Sequence, residues 1–119
     1  MEEKNVLLTK SLTFAIKIVK LGRDLMNIKK EYILSKQIIR SGTAIGALIR
    51  EANYEESKLD FIHKLHIALK EANETEYWLL ILKESGIISF EEFNILEKEV
   101  NELLKLLISS IKTLKARYK

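Results

Sequence analysis

SKLDFIHKLHIALKEANETEYWLLIL, from Ser57 to Leu82, combines a start signal, an unbroken helical period and apolar residues on more than one face. Ser57 followed three residues later by Asp60 makes a capping-box-like start. The hydroxyl accepts an orphan amide N–H, and the acid sits at the positive end of the helix dipole. Ile62, Leu65, Leu69, Ala72 and Leu79 form one apolar stripe at three- and four-residue steps, with Phe61, Ala68, Trp78 and Leu82 in a second stripe beside it. Lys70, Asn73 and Glu76 leave only a narrow wet strip. Such a helix needs neighbours on two sides, so the stretch is the central helix of a bundle, predicted over 58–84.

Outward from it, the same period recurs three times. A first helix is predicted over 5–28, where Leu8, Leu12, Ala15, Val19 and Met26 share one face and Phe14, Ile18, Leu21, Leu25 and Ile28 the next. Gly22 lies inside this pattern and costs about 1 kcal/mol of helix propensity relative to alanine, so it reads as a close-packing point. A second helix is predicted over 30–52, with Leu34, Ile38, Ile45, Leu48 and Ile49 as its apolar positions. Ser89 and Glu92 form a capping box for a fourth helix over 90–116, in which Phe93, Leu96, Val100, Leu103, Leu107, Ile111 and Leu114 carry the core period and Leu104 and Ile108 widen it. Gly86 falls at the C-terminal cap of the central helix, where a left-handed backbone suits glycine. The connections are short and there is no proline. The prediction is one all-α domain over 1–119, an antiparallel up-down-up-down four-helix bundle.

Composition agrees with this and excludes several kinds of chemistry. The chain has 119 residues, 47% hydrophobic and 31% charged, enough for one domain with a real core. It has no cysteine, which leaves no disulfide, thiolate metal site or cysteine nucleophile. MEEKN at the start has acids where a signal peptide has bases, and no run approaches the roughly 20 apolar residues that span a bilayer. The expectation is a cytoplasmic protein with no membrane partner. The net charge of +3 is unevenly spread. Up to Arg50 there are ten basic and four acidic residues; from Glu51 to Leu104, five and thirteen; from Lys105 on, five and none. Basic ends around an acidic middle either pair helix against helix or present basic patches to an anionic partner.

Arg40-Ser41-Gly42-Thr43-Ala44-Ile45-Gly46-Ala47 places small residues along the second helix. A phosphate-binding loop would need a GK[ST] sequence and a preceding strand. Neither is present, so Gly42 and Gly46 are assigned to close helix packing, within the bundle or between subunits. Arg40 to Ile49, Asp60 to Ile62, Glu71 to Leu79 and the closing ELLKLLISSIKTLKA resemble the 23S rRNA-intervening-sequence proteins over essentially the whole chain. Ala44 stands where that family has serine and Leu48 where it has asparagine, so any polar contact of that asparagine is missing here. The resemblance implies an antiparallel four-helix bundle, a ring of five copies and no enzymatic activity. It also implies a relation in fold to the accessory proteins of diversity-generating retroelements, which contact a reverse transcriptase and nucleic acid. Independently, apolar faces of double width on helices one, three and four suggest a homo-oligomer.

Few residues nominate chemistry. His63 and His66 lie a turn apart, but a di-iron bundle site needs two Glu-x-x-His pairs and further glutamates, and these are the only histidines. No metal, cofactor or catalytic residue is expected. Glu71 and Glu74 lie near apolar positions and require a cation, assigned to Arg40 or Arg50 as a structural polar network. Tyr77 and Trp78 read as packing anchors. Lys10, Lys17 and Lys20 follow a polar stripe of the first helix, and Lys105, Lys112, Lys115 and Lys119 recur along roughly one face of the fourth. Two functions stay open: an oligomer associated with RNA or DNA through these seven lysines, or a scaffold for a polypeptide partner.

Overall fold

The computed structural model describes residues 2–118, with side chains from Val6 onward. It is an all-α bundle of α1 (Glu2–Asn27), α2 (Ile33–Ala52), α3 (Lys58–Glu84) and α4 (Phe90–Arg117), and no strand occurs among the described residues. Each helix lies against its two neighbours, α4 closing the square against α1, and among the described residues none lies against its diagonal. Short turns between long helices make every neighbouring pair antiparallel. The bundle measures 48 × 22 × 19 Å.

Local chemistry sets the helix ends. The Ser57 hydroxyl accepts from the Asp60 N–H at 3.0 Å, and Ser89 and Glu92 cap each other reciprocally at 3.0 and 3.5 Å. α2 starts at Ile33, three residues later than the hydrophobic pattern placed it. Its N-cap position is Tyr32, which offers no side-chain cap. The Glu31 carboxylate performs that task from one residue further back, accepting from the N–H groups of Ile33 at 3.2 Å and Ser35 at 2.9 Å. The α3–α4 turn closes with Gly86 in the left-handed region at φ +74°, and the Ile87 N–H donates to the Leu82 carbonyl at 2.9 Å. The α1–α2 turn closes in a similar way with Lys30 at φ +58°, while the Glu31 N–H donates to the Leu25 carbonyl at 2.8 Å. A side chain in that region costs roughly 1–2 kcal/mol.

The core is one seam per helix. On α3 it runs Ile62, Leu65, Ala68, Ala72, Thr75, Leu79 and Leu82, a line that passes between the two predicted stripes and takes residues from both. Leu69 is consequently half-buried at the seam's flank, together with Phe61 and Trp78. On α1 the buried residues are Leu7, Ser11, Phe14, Ile18, Leu21 and Leu25. The other predicted face of α1 stays largely outside: Leu8, Ala15, Val19 and Met26 are half-buried and Leu12 is 49% exposed. Ile28, predicted to belong to the inner face, is 69% exposed beyond the helix end. α4 follows the predicted period through Ile111, with Leu104 buried, but Leu114 is only half-buried and Ile108 is 41% exposed.

Glycine lets α1 and α2 approach. A β-carbon on Gly22 would meet Ile39 Cδ1 at 2.3 Å, one on Gly42 would meet Ile18 Cγ2 at 2.7 Å, and one on Gly46 would meet the Ser11 hydroxyl at 3.1 Å. The glycine-rich segment is therefore helix throughout and lies against α1 of the same chain. Gly42→Val should destabilise the bundle by about 1–3 kcal/mol through overpacking. Lys30→Gly should stabilise it by about 1 kcal/mol by removing left-handed strain. Denaturant melts of both variants check the pair. Leu79→Ala should cost about 2–5 kcal/mol and the flanking Leu69→Ala clearly less.

Candidate functional site

Two helix segments meet in a polar network. Arg40, near the middle of α2, faces Glu71 and Glu74 on α3: Nη1 donates to Glu71 Oε1 at 3.2 Å and Nη2 donates to Glu74 Oε2. The Trp78 indole N–H also donates to Glu74 Oε2, at 3.0 Å. Tyr77 leans on the Trp78 ring at 5.5 Å between centroids and stays exposed. One residue inward, Thr75 Oγ1 lies 2.8 Å from Ser41 Oγ and 2.8 Å from the Glu71 carbonyl, with both hydroxyl side chains fully buried. Two hydroxyl protons serve a mutual bond and a carbonyl, so neither oxygen is stranded. Arg50 takes no part in the network. The guanidinium carries about half its surface in water, so each ion pair contributes at most about 1 kcal/mol. The buried Ser41–Thr75 contact matters more for register, because a shift of one helix past the other breaks it and leaves each hydroxyl only a carbonyl of its own helix, Glu71 at 2.8 Å for Thr75 and Ile38 at 3.5 Å for Ser41. Neither hydroxyl was singled out from sequence; Thr75 interrupting an apolar stripe opposite a serine was the available signal.

The seven lysines separate into two groups. Lys10 reaches Glu102 at 2.7 Å and Lys17 reaches Glu99 at 2.5 Å, so of the three α1 lysines in this set two are tied to α4. Here the charge asymmetry is spent helix against helix, and the α1 stripe is not a free basic surface. Lys20 is exposed and outside these pairs. On α4, Lys105, Lys112 and Lys115 are exposed and unpaired among the described residues, with the exposed Ile108 on the same face. Lys119 lies outside the described residues. Lys98, seven residues before Lys105, extends the row and is also exposed; in the sequence its charge is masked by the flanking Glu97 and Glu99.

Two further charges are tied between helices. Glu76, read as part of a wet strip on α3, is half-buried beside Glu97 of α4. A hydrogen bond shared with Glu97, then burial, then mutual repulsion hold its carboxyl above the ordinary glutamate range. Lys64 bridges the end of α2 to α3, reaching Glu51 at 2.8 Å and Glu55 at 3.7 Å, and the Glu51 hydrogen bond holds its ammonium above the ordinary lysine range. His63 is exposed and His66 half-buried. No group of three or more histidine and carboxylate side chains suited to a metal occurs among the described residues. No helix there is long and apolar enough to cross a membrane.

Comparison with known proteins adds the following. The family model for 23S rRNA-intervening sequence proteins matches residues 3–109. A crystal structure at 1.70 Å of a protein of unknown function, from the S23 ribosomal protein family of Bacteroides thetaiotaomicron VPI-5482, superposes with a TM-score of 0.91 at 54% identity. The match covers 92% of this chain and 98% of that one. Among curated proteins there is no match.

Thr75→Val should cost about 1–3 kcal/mol, because Ser41 then keeps only a long contact of 3.5 Å to the Ile38 carbonyl inside the core. For Glu76, a raised folded-state pKa means that folding favours the protonated carboxyl. Its contribution is most favourable below the unfolded pKa and is lost as pH rises through the folded one. Glu76→Gln should therefore stabilise the protein at neutral pH by some tenths of a kcal/mol, with the gain vanishing in mildly acidic buffer. Thermal melts of both chains across pH 4 to 8 read this out as a converging pair of curves.

Proposed function

Because this chain belongs to the 23S rRNA-intervening sequence protein family, we propose that it is a non-enzymatic, self-assembling helical bundle that associates with nucleic acid through the basic half of α4. The observation that supports this reading best is the row Lys105, Lys112 and Lys115, exposed and unpaired among the described residues in the half of α4 that has no acid after Glu102. Cations in the final turn favour the negative end of the helix dipole by about 0.3–1 kcal/mol each. That rationale covers Lys115 and Arg117 but not Lys105 or Lys112. Repetition of the row in an assembly turns weak phosphate contacts into avidity. Self-assembly is supported by the outer apolar residues Leu12 and Ile16, both 49% exposed on one face of α1. The resemblance to the family supports a ring of five, and the composition supports a cytoplasmic location.

A second reading, a scaffold for a polypeptide partner without nucleic-acid binding, draws support from Lys10 and Lys17, whose charge is already answered by Glu102 and Glu99. Titration with a labelled RNA and a labelled DNA of about 20 nucleotides at several salt concentrations separates the two. The expected result is sequence-tolerant binding that weakens steeply with salt. It should vanish in the triple variant Lys105→Glu, Lys112→Glu, Lys115→Glu, whose circular dichroism stays unchanged. No binding at low salt leaves the scaffold reading standing. Light scattering on the same protein should give a pentamer, and Leu12→Glu with Ile16→Glu should reduce it to monomer.

A further inference from the structure

The α1–α2 and α3–α4 turns lie at the same end of the bundle and together line an open groove of about 500 Å³. Lys29, Lys30, Tyr32 and Ile33 form one wall, and Gly86 and Ile87 form the other. Each turn needs one residue in the left-handed region. The second turn uses Gly86, which takes that conformation without steric cost, whereas the first uses Lys30. Helix termination needs the backbone shape at position 30 but makes no use of an ammonium there. Neither Lys29 nor Lys30 has a side-chain partner among the described residues. The groove's one acid, Glu31, already gives both carboxylate oxygens to the N–H groups of Ile33 and Ser35. The groove thus has two uncompensated cations over aliphatic walls, with Ile33 75% exposed and the phenol of Tyr32 half-exposed.

We propose that this groove docks an acidic polypeptide segment carrying an apolar anchor residue. Carboxylates of the segment meet Lys29 and Lys30, and its anchor covers Ile33 and Ile87. The strained lysine is explained by the charge it brings to the lip. Nucleic acid fits less well, since single strands bind by stacking successive bases on several aromatic faces along a basic track, and here a single half-exposed phenol, Tyr32, stands beside the aliphatic Ile33 and Ile87. The groove is also remote from the α4 lysines. Phe90 opens α4 at this end, and Lys112 lies 22 residues further on, roughly 33 Å at 1.5 Å per residue. The two surfaces can therefore be occupied at once, and the groove does not depend on the nucleic-acid reading.

The test uses a fluorescein-labelled decapeptide with eight acidic residues around a central Leu-Phe pair, titrated against the whole protein by anisotropy. A counterpart with lysines in place of the acids is the control. Saturable binding of the acidic peptide alone is expected, with amide shifts in nitrogen-15 spectra confined to Lys29–Ile33 and Gly86–Ile87. Lys30→Gly, which should raise the melting temperature, is expected to weaken the peptide about tenfold, as is proper to the loss of one charge-assisted contact. Lys29→Glu with Lys30→Glu should remove binding. Absence of saturable binding, equal binding of the basic counterpart, shifts that map elsewhere, or full affinity in Lys30→Gly would each overturn the proposal. Displacement of the peptide by a 20-nucleotide RNA acting at the same amides would overturn it too, since the groove would then be a nucleic-acid site.

Discussion

The close approach of α1 and α2 over Gly22, Gly42 and Gly46 is the contact on which the rest of the bundle depends. At Gly22 and Gly42 the space a methyl group would need is filled by Ile39 and Ile18. Three glycines inside helices cost roughly 3 kcal/mol of propensity. Burying one isoleucine side chain returns about 1.5–3 kcal/mol, and Ile18 is completely enclosed. The glycines thus exchange local helix stability for a tight seam. Once α2 is held against α1, its opposite flank presents Ser41 to the core and Arg40 to the surface, one residue apart. α3 can satisfy both only in the register that brings Thr75 to Ser41 and Glu71 and Glu74 to Arg40.

Charge then decides how the square closes. α1 is basic and the first half of α4 acidic, and the pairs Lys10–Glu102 and Lys17–Glu99 bridge them where the backbones make their slightest contact. Each pair is solvent-exposed and worth little by itself. Together they choose which face of α4 meets α1, a choice that apolar packing alone would leave loose because Leu104 and Ile108 widen the α4 stripe. The acids of α4 run out after Glu102, and beyond that point Lys105, Lys112 and Lys115 have no ion-pair partner among the described residues.

Fold class and most helix ends were legible because the signals were local: Ser57 and Ser89 are caps that operate within one turn, and Gly86 ends α3 by its own backbone freedom. The start of α2 was not, since its cap is a glutamate placed before a tyrosine, outside the usual N-cap vocabulary. The core of α3 was half legible. Two adjoining stripes are equally apolar, and only the positions of α2 and α4 select the line between them, through a threonine that hydropathy would put outside. Site residues were legible when their partners were rare. Glu71 and Glu74 had two candidate cations on α2, and Arg40 answers them. Lys10 and Lys17 could not be resolved, because whether a lysine meets water or a glutamate on a distant helix is a matter of tertiary register.

The same register determines which apolar residues are left over. A helix in a square bundle turns a single seam inward, yet α1 carries two, and the outer one includes Leu12 and Ile16 between the lysine-bearing edge and the α2 side. Each of those two side chains still shows about half its surface to water, so covering it would contribute about half of a full leucine burial, roughly 0.7–1.5 kcal/mol each. Monomer packing cannot recover it, because α2 and α4 already occupy both flanks of α1. Under the proposed assembly the outer seam becomes the surface that a second copy covers. The ion-paired lysines then serve as its polar rim, which is where exposed charge adds specificity more than affinity. The ends of the bundle stay free in that arrangement, since a contact along the length of α1 leaves the turn groove at one end and the α4 lysines towards the other open to different partners.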